Sequence, residues 1–335
     1  MFCKRKNIYM IVKIWKLVKY CNTFMYSLSG LWIYCLFVQI ESLNRSLDRD
    51  YLSYATMLNM LKNDSPVFDS SKYSEMEILF QYFMKLVSFF GGNSDSLMWI
   101  VISVQLLLYG WLLPTLKHVK GLYVFSICMS PITVAFASNT IRQGFAMSLV
   151  WVVLLYISFK DGSKKFPKII TPLVCFGFHN SSVLVILHTF LNKFRTRYYI
   201  AFVLAALILT ILSTRIESFQ SLLESTAFLF DSPVAVRLNA LEYKRLGGTI
   251  GPSFKYFGLC LFMVLFLCVT VRYASLQEED FFGIKLVLLI AGFTMLFCYQ
   301  PFHDRWDSWL WSLFTVVCLI VAERFCRSMD GIYES

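Results

Sequence analysis

The chain has 335 residues, of which 57% are apolar and only 16% charged, with a formal net charge of +10. A positive balance of that size would suit a nucleic-acid-binding face, but repeated, almost charge-free apolar runs of about sixteen or more residues leave little soluble surface to carry one. Composition therefore excludes an ordinary soluble domain and predicts an all-α, polytopic integral membrane helical bundle of about eight to ten spans with re-entrant or broken helices.

Residues 1–20 hold Lys4, Arg5, Lys6, Lys13, Lys16 and Lys19 without one acid, which reads as a basic, partly amphipathic cytoplasmic segment. A first span is expected over 24–40. No small-residue cleavage pattern follows it, so it is read as retained rather than as a signal peptide. The polar stretch 41–75 contains Arg45, Asp48, Arg49, Asp50, Tyr51 and Tyr54. Residues 76–90 are apolar on one face but carry Glu77, Gln81 and Lys85, the pattern of an interfacial or re-entrant helix ending at Gly91-Gly92. Residues 41–96 together form an expected outer loop containing that helix.

Spans are expected at 97–113, 122–137 and 145–159. The run 169–191 is long and apolar but interrupted by Phe178-His179-Asn180-Ser181-Ser182. It is read as two short helices meeting at a polar apex, since non-helical backbone at membrane depth is tolerated only inside protein or beside a wet cavity. Residues 200–212 form another span, followed by an outer loop over 215–252. Spans at 254–271, 281–299 and 309–321 complete the set, the last two joined by Gln300-Pro301-Phe302-His303-Asp304-Arg305-Trp306-Asp307. The whole of 1–335 is thus one integral membrane domain. Most of the ten cysteines lie inside apolar runs and no CxxC or Cys/His spacing appears, so no structural disulfide and no zinc site are expected.

Charge sets an orientation. With 76–90 left non-spanning and both termini in the cytoplasm, Lys160, Lys164, Lys165 and Lys168 fall inside, as do Lys193, Arg195 and Arg197, in agreement with the positive-inside rule. The loops with Arg45 and Asp50, Arg142, His179, 215–252 and Arg305 then share the outer face.

Chemistry gathers on that face. Between two apolar runs lies Ser138-Asn139-Thr140-Ile141-Arg142-Gln143-Gly144. Ser138 or Asn139 can cap a helix that has Arg142 and Gln143 in its first turn. A helix start carries partial positive charge and unpaired N–H donors, so with an arginine it suits phosphate. The alternative is an Arg142 that snorkels to the interface as an anchor. His179, at the helix break, titrates near physiological pH and is the candidate base, or else caps one of the short helices. Glu77 and Asp50 serve as counter-charges to Arg45 or His179, or one of them is the base; Asp304 pairs locally with Arg305. Tyr51, Tyr54, Trp306 and Trp309 either stack on sugars or form an interfacial aromatic belt.

Arg45 with Asp50-Tyr51 and Tyr54, then Glu77, Ile141-Arg142-Gln143 and Phe178-His179-Asn180-Ser181, in that order and spacing, resemble the EpsG family of Wzy-like polymerases. The match runs over about residues 40–195, and Arg305 followed by an aromatic matches in kind. Asn180-Ser181 departs from the more usual Ser-Ala pairing. The resemblance implies a GT-C-like polymerase class and an enzyme of the bacterial inner membrane that joins repeat units of O-antigen, capsule or exopolysaccharide. Its donor and acceptor would be undecaprenyl-diphosphate-linked oligosaccharides, with a chain-length regulator protein as a candidate partner. On that scheme Arg142, His179 and Glu77 are the catalytic candidates. Arg45, Asp50, Tyr51, Tyr54, Asn139, Gln143 and Arg305 are the substrate-binding candidates. No DxD-like metal site, phosphate-cradling glycine loop or Gly-x-Ser-x-Gly elbow is present, so no cofactor and no metal are expected. The competing readings are a flippase for the same lipids, which should show repeat symmetry and midplane sites, and a membrane O-acyltransferase.

Overall fold

The computed structural model describes residues 2–45, 49–63, 77–111, 113–138, 140–159, 165–213, 254–273, 276–296 and 304–333. Within these, side chains are described except at 2–11, 42–51, 137–138, 165–168, 213, 254–257, 259, 270–273, 304–305 and 332–333. Every regular element among them is helical. That is what an apolar chain in lipid requires, because a helix satisfies its backbone N–H and C=O groups internally.

The helices in order are α1 (Phe2–Ser27), α2 (Ser29–Arg45), α3 (Arg49–Lys62), α4 (Ile78–Phe89), α5 (Ser94–Trp111), α6 (Lys120–Met129) and α7 (Pro131–Ser138). They continue as α8 (Ile141–Phe159), α9 (Lys165–Phe178), α10 (Val183–Leu191), α11 (Thr196–Ser213), α12 (Phe254–Tyr273), α13 (Asp280–Leu296) and α14 (Asp304–Tyr333). The chain is a polytopic helical membrane protein. Among the described residues Ser94–Thr115, Ile141–Phe159 and Trp306–Gly331 are each long and apolar enough to cross a bilayer, and shorter apolar helices surround them.

Two expected spans are broken. The span expected at 24–40 straddles the junction of α1 and α2, which meet at 61°. The backbone N–H of Leu28 still bonds Phe24 O, so the helical ladder reaches the junction and the chain turns there. The span expected at 122–137 is likewise split at Ser130, because Pro131 has no N–H to continue α6 and favours the first turn of a new helix. By contrast, the break expected within 169–191 is present, as a single 3-10 turn at Asn180–Ser182 between α9 and α10. Helix α4, twelve residues long, rises about 18 Å, well short of a hydrocarbon core of about 30 Å. It closes at Gly91, as the paired glycines predict.

Helices α8 and α13 bury residues all round and form the centre of the bundle, with α14 against both. A helix that is apolar on every face belongs in such a core. On the periphery, α11 packs Tyr199, Val203 and Ala206 inward and leaves Tyr198, Leu204, Ile208 and Ile211 exposed, a surface suited to lipid. A second, smaller core of Tyr54, Met57, Leu58, Phe80, Met84, Leu97, Met98 and Ile141 joins α3, α4 and α5 to the start of α8. It lies directly under the polar groups described next.

Candidate functional site

Four candidates from distant parts of the sequence converge at one end of the bundle. Arg142 stands in the first turn of α8, and its Nη1 donates to Glu77 Oε2 at the N-terminal edge of α4. Its Nε donates to the Tyr54 hydroxyl from α3 at 3.3 Å. The guanidinium also lies over the Phe80 ring, 5.8 Å from its centroid. The other carboxylate oxygen, Glu77 Oε1, accepts the backbone N–H of Asn180 at 3.0 Å, directly after His179. One buried carboxylate therefore ties the arginine helix to the broken helix.

Glu77 is thus the counter-charge of Arg142, not of Arg45 or His179. Both its oxygens are engaged, which favours a clamp over a base. The Glu77 side chain is 5% exposed and that of Arg142 24%. The Nη2 group of Arg142, with its two N–H donors, meets no acceptor among the described residues. The arginine is held from one side and open on another.

Close helix approach makes this geometry possible at two glycines. A Cβ at Gly144, two residues after Arg142, would stand 2.3 Å from Phe136 O, so α8 and α7 touch backbone to backbone. A Cβ at Gly177, two residues before His179, would collide with the Leu79 side chain at 2.4 Å, so α9 lies tight against α4. The α8 start at Ile141 puts Arg142 and Gln143 in the first turn, as expected. Ser138 is the last residue of α7, and its side chain lies outside the described residues. Thr140 precedes the helix, its C=O accepting Gly144 N–H at 2.9 Å. Asn139 lies outside the described residues.

His179 is buried at the break. Its Nδ1 accepts the backbone N–H of Ser181 at 3.1 Å and lies 2.6 Å from the Ser181 hydroxyl. The imidazole thus caps the 3-10 turn, as the structural alternative for this residue foresaw. The Ser182 hydroxyl donates to His179 O at 2.7 Å, closing the same turn. Trp309 of α14 donates its indole N–H to Ser181 Oγ at 2.8 Å. Being 1% exposed, Trp309 cannot stack on a sugar, and Trp306 is buried too; both are packing residues, not a belt. Tyr54 is likewise buried and supports Arg142 instead of offering a stacking face. Gln143 is buried beside Arg142.

The side chains of Arg45, Asp50, Tyr51 and Arg305 lie outside the described residues, so only their positions on α2, α3 and α14 are known. The Ser181 hydroxyl and the Asn180 N–H escaped sequence reasoning as site components, and Trp309 was expected as a sugar platform or belt residue, not as a donor to Ser181. The polar run after Phe178 marked a break without showing which groups it would turn inward, and a tryptophan near a loop resembles an interfacial anchor. His188, elsewhere in the core, is enclosed between Tyr199 and Phe282 and has no part in this constellation. Among the described residues no group of three His, Cys, Asp or Glu is arranged to hold a metal ion.

No curated protein and no solved structure matches the chain. A family model does, over residues 27–333, well beyond the stretch whose motifs carry the resemblance. The constellation of Arg142, Glu77 and the His179 turn therefore belongs to a chain that is a member of the EpsG family.

Proposed function

We propose that this protein is a glycosyltransferase of the Wzy polymerase type that joins lipid-diphosphate-linked oligosaccharide repeat units at the outer face of a bacterial inner membrane. The observation that carries the reading is the linkage of Arg142, Glu77 and the His179 turn in one buried cluster, in a chain whose family is tied to polysaccharide synthesis. Transfer of a glycan from undecaprenyl diphosphate releases a diphosphate. Its developing charge calls for preorganised donors, the largest catalytic contribution in many enzymes. Arg142 supplies two uncommitted N–H groups beside a helix start. Because Glu77 already neutralises the guanidinium, Arg142 grips by directed hydrogen bonds more than by net charge. Further positive charge comes from Arg45 and Arg305. Asp50, Tyr51 and Asn139 complete the acceptor side, and exposed apolar helix faces accommodate the lipid tail.

The opposite end of the bundle supports the orientation that goes with this proposal. Lys19, Lys117, Arg324 and Arg327 meet there, as the positive-inside rule asks of a cytoplasmic end. The reaction is proposed to be metal-independent, with guanidinium in place of a divalent ion. The test is reconstitution in vesicles with purified lipid-linked repeat units, with and without a strong chelator. Glycan chains should lengthen equally in both. Movement of unmodified lipid without chain growth would transfer the protein to the flippase reading, and loss of activity under chelation with recovery on adding metal would overturn metal independence.

A further inference from the structure

We propose that α1 is an in-plane helix whose outward face binds anionic phospholipid headgroups of the leaflet nearest Lys19, the cytoplasmic one in the proposed orientation. The inference is independent of which reaction the protein catalyses.

The two faces of α1 differ in what they meet. Inward, Lys19 Nζ pairs with Asp330 of α14 at 2.8 Å and lies 4.2 Å from the centroid of the Trp15 ring. Asn22 Oδ1 accepts the backbone N–H groups of Gly121 and Leu122 at 2.7 and 3.4 Å. A Cβ at Gly121 would stand 2.0 Å from Asn22 O, so α1 is pressed against the start of α6. Outward, Leu17, Tyr20 and Phe24 are 61%, 75% and 59% exposed, and their spacing of three and four sets them in one stripe. Lys16, one turn before Tyr20, is exposed beside that stripe and meets no acid among the described residues.

Continuity makes lipid the occupant of this face. Helix α2 packs on the bundle through Leu36 and Ile40 and leaves Leu31, Tyr34 and Val38 exposed, as a helix beside acyl chains does. The exposed apolar surface runs on from there into α1. The bend then sets the depth, because α1 departs from the direction of α2 by 61°. The about 12 Å of helix from Lys16 to Phe24 advances only about 6 Å along that direction. One headgroup layer is about 5–8 Å thick, once a core of about 30 Å is taken from a bilayer of about 40–45 Å. Lys16 and the apolar stripe therefore share a single interfacial layer, the place of an in-plane amphipathic helix. Charge selects among the lipids. Residues 1–20 hold six Lys and Arg and no acid, and the first turn of α1 has no acid to offset the positive end of the helix dipole. A zwitterionic headgroup brings no net charge to match, whereas an anionic one attracts each basic residue near the surface.

The test places full-length protein in phosphatidylcholine vesicles doped with a photoactivatable lipid. The probe is phosphatidylglycerol or phosphatidylcholine carrying the same reactive group, and cross-linked residues are mapped by mass spectrometry. Residues 14–24 should be labelled, and more strongly by the phosphatidylglycerol probe. One basic side chain at an anionic surface is worth ~5-fold, so Lys16→Gln should lower the phosphatidylglycerol-to-phosphatidylcholine ratio there by about that factor. Lys16→Arg should keep the ratio. Lys16 touches none of the groups that fasten α1 inward, so neither change disturbs the fold. Leu17→Ser combined with Phe24→Ser should weaken labelling by both probes alike. Absence of label from residues 14–24 would mean that protein, such as a second copy of the chain, covers this face, and would overturn the proposal. Equal labelling by the two probes, or an unchanged ratio in Lys16→Gln, would overturn the assignment to anionic headgroups.

Discussion

The two ends of the bundle use the same ion-pair chemistry in opposite ways. At the end distant from Arg142, the fully buried Glu323 carboxylate of α14 accepts the backbone N–H groups of Lys117, His118 and Val119 at 2.8–3.2 Å. It also takes the Arg327 Nε at 2.8 Å. Arg327 in turn donates to Thr115 O, while Arg324 pairs with Asp280 and lies over Phe159. Lys19 reaches Asp330, and Asn22 accepts Gly121 N–H. These groups satisfy one another and close the end where the 113–119 loop, α1 and α14 meet. At the other end, Arg142 has Glu77 and Tyr54 on one flank and an open Nη2 edge on another. A charge saturated by the fold is structural; one held firmly but incompletely is equipped to bind.

The contrast can be broken from either side. Its largest expected effect is at Glu323→Ala, which strips three backbone donors and Arg327 of a common acceptor inside the protein. Loss of one partner in such a buried network costs about 3–5 kcal/mol, so the detergent-solubilised variant should unfold far below the wild-type midpoint or fail to accumulate. A variant that melts normally would remove Glu323 from the structural side of the comparison. Next comes Arg142→Lys. A compact ammonium lacks the planar fork with which the guanidinium reaches Tyr54 and Glu77 on one flank and an anion on another. Elongation should fall by ~10²–10³ while the unfolding midpoint stays close to that of wild type. Full activity in Arg142→Lys would show that charge alone matters there.

Gly144→Ala tests whether the site depends on helix approach. Its methyl would meet the Phe136 carbonyl, which is backbone and cannot swing aside. Overpacking of this kind costs about 1–3 kcal/mol and should lower stability and elongation together, in contrast to Arg142→Lys. An unchanged denaturation curve would mean that α7 and α8 separate freely. The smallest effect concerns His118, in the loop held by Glu323. Burial pushes its imidazole below the ordinary range, with Glu323 and Asp330 pulling it back up. The folded state therefore binds fewer protons at this residue than the unfolded state does. Stability should be level above the unfolded value of about 6.5 and should decline as pH falls through it. His118→Gln should remove that part of the acid sensitivity, and a stability that rises on acidification would reverse the sign assigned here.

Much of this was readable from residue order. The uncharged runs at 97–113 and 145–159 announce α5 and α8, because apolar runs of that length have no stable place except lipid or a core. Glu77 and Lys85 within an otherwise apolar stretch signalled that α4 does not cross, and its twelve residues agree with that. The polar run after Phe178 announced a break. The motifs through residue 195 pointed to the EpsG family, and the family match to 333 extends them. The kink between α1 and α2 was hidden because the apolar run continues through it.

What the linear chain determined by itself is therefore the class of solvent it needs, the approximate ends of most helices and which residue types bear charge or bind protons. Hydropathy and helix-forming limits act locally, so they leave a trace in every short window. Partnership is decided only in three dimensions. That Glu77 answers Arg142 across 65 positions, that Trp309 answers Ser181 across 128, and that Glu323 answers the 117–119 backbone depends on which helix faces meet. Those faces meet where small residues such as Gly144 and Gly177 let backbones come close, and no window of sequence records which neighbour will fill the space.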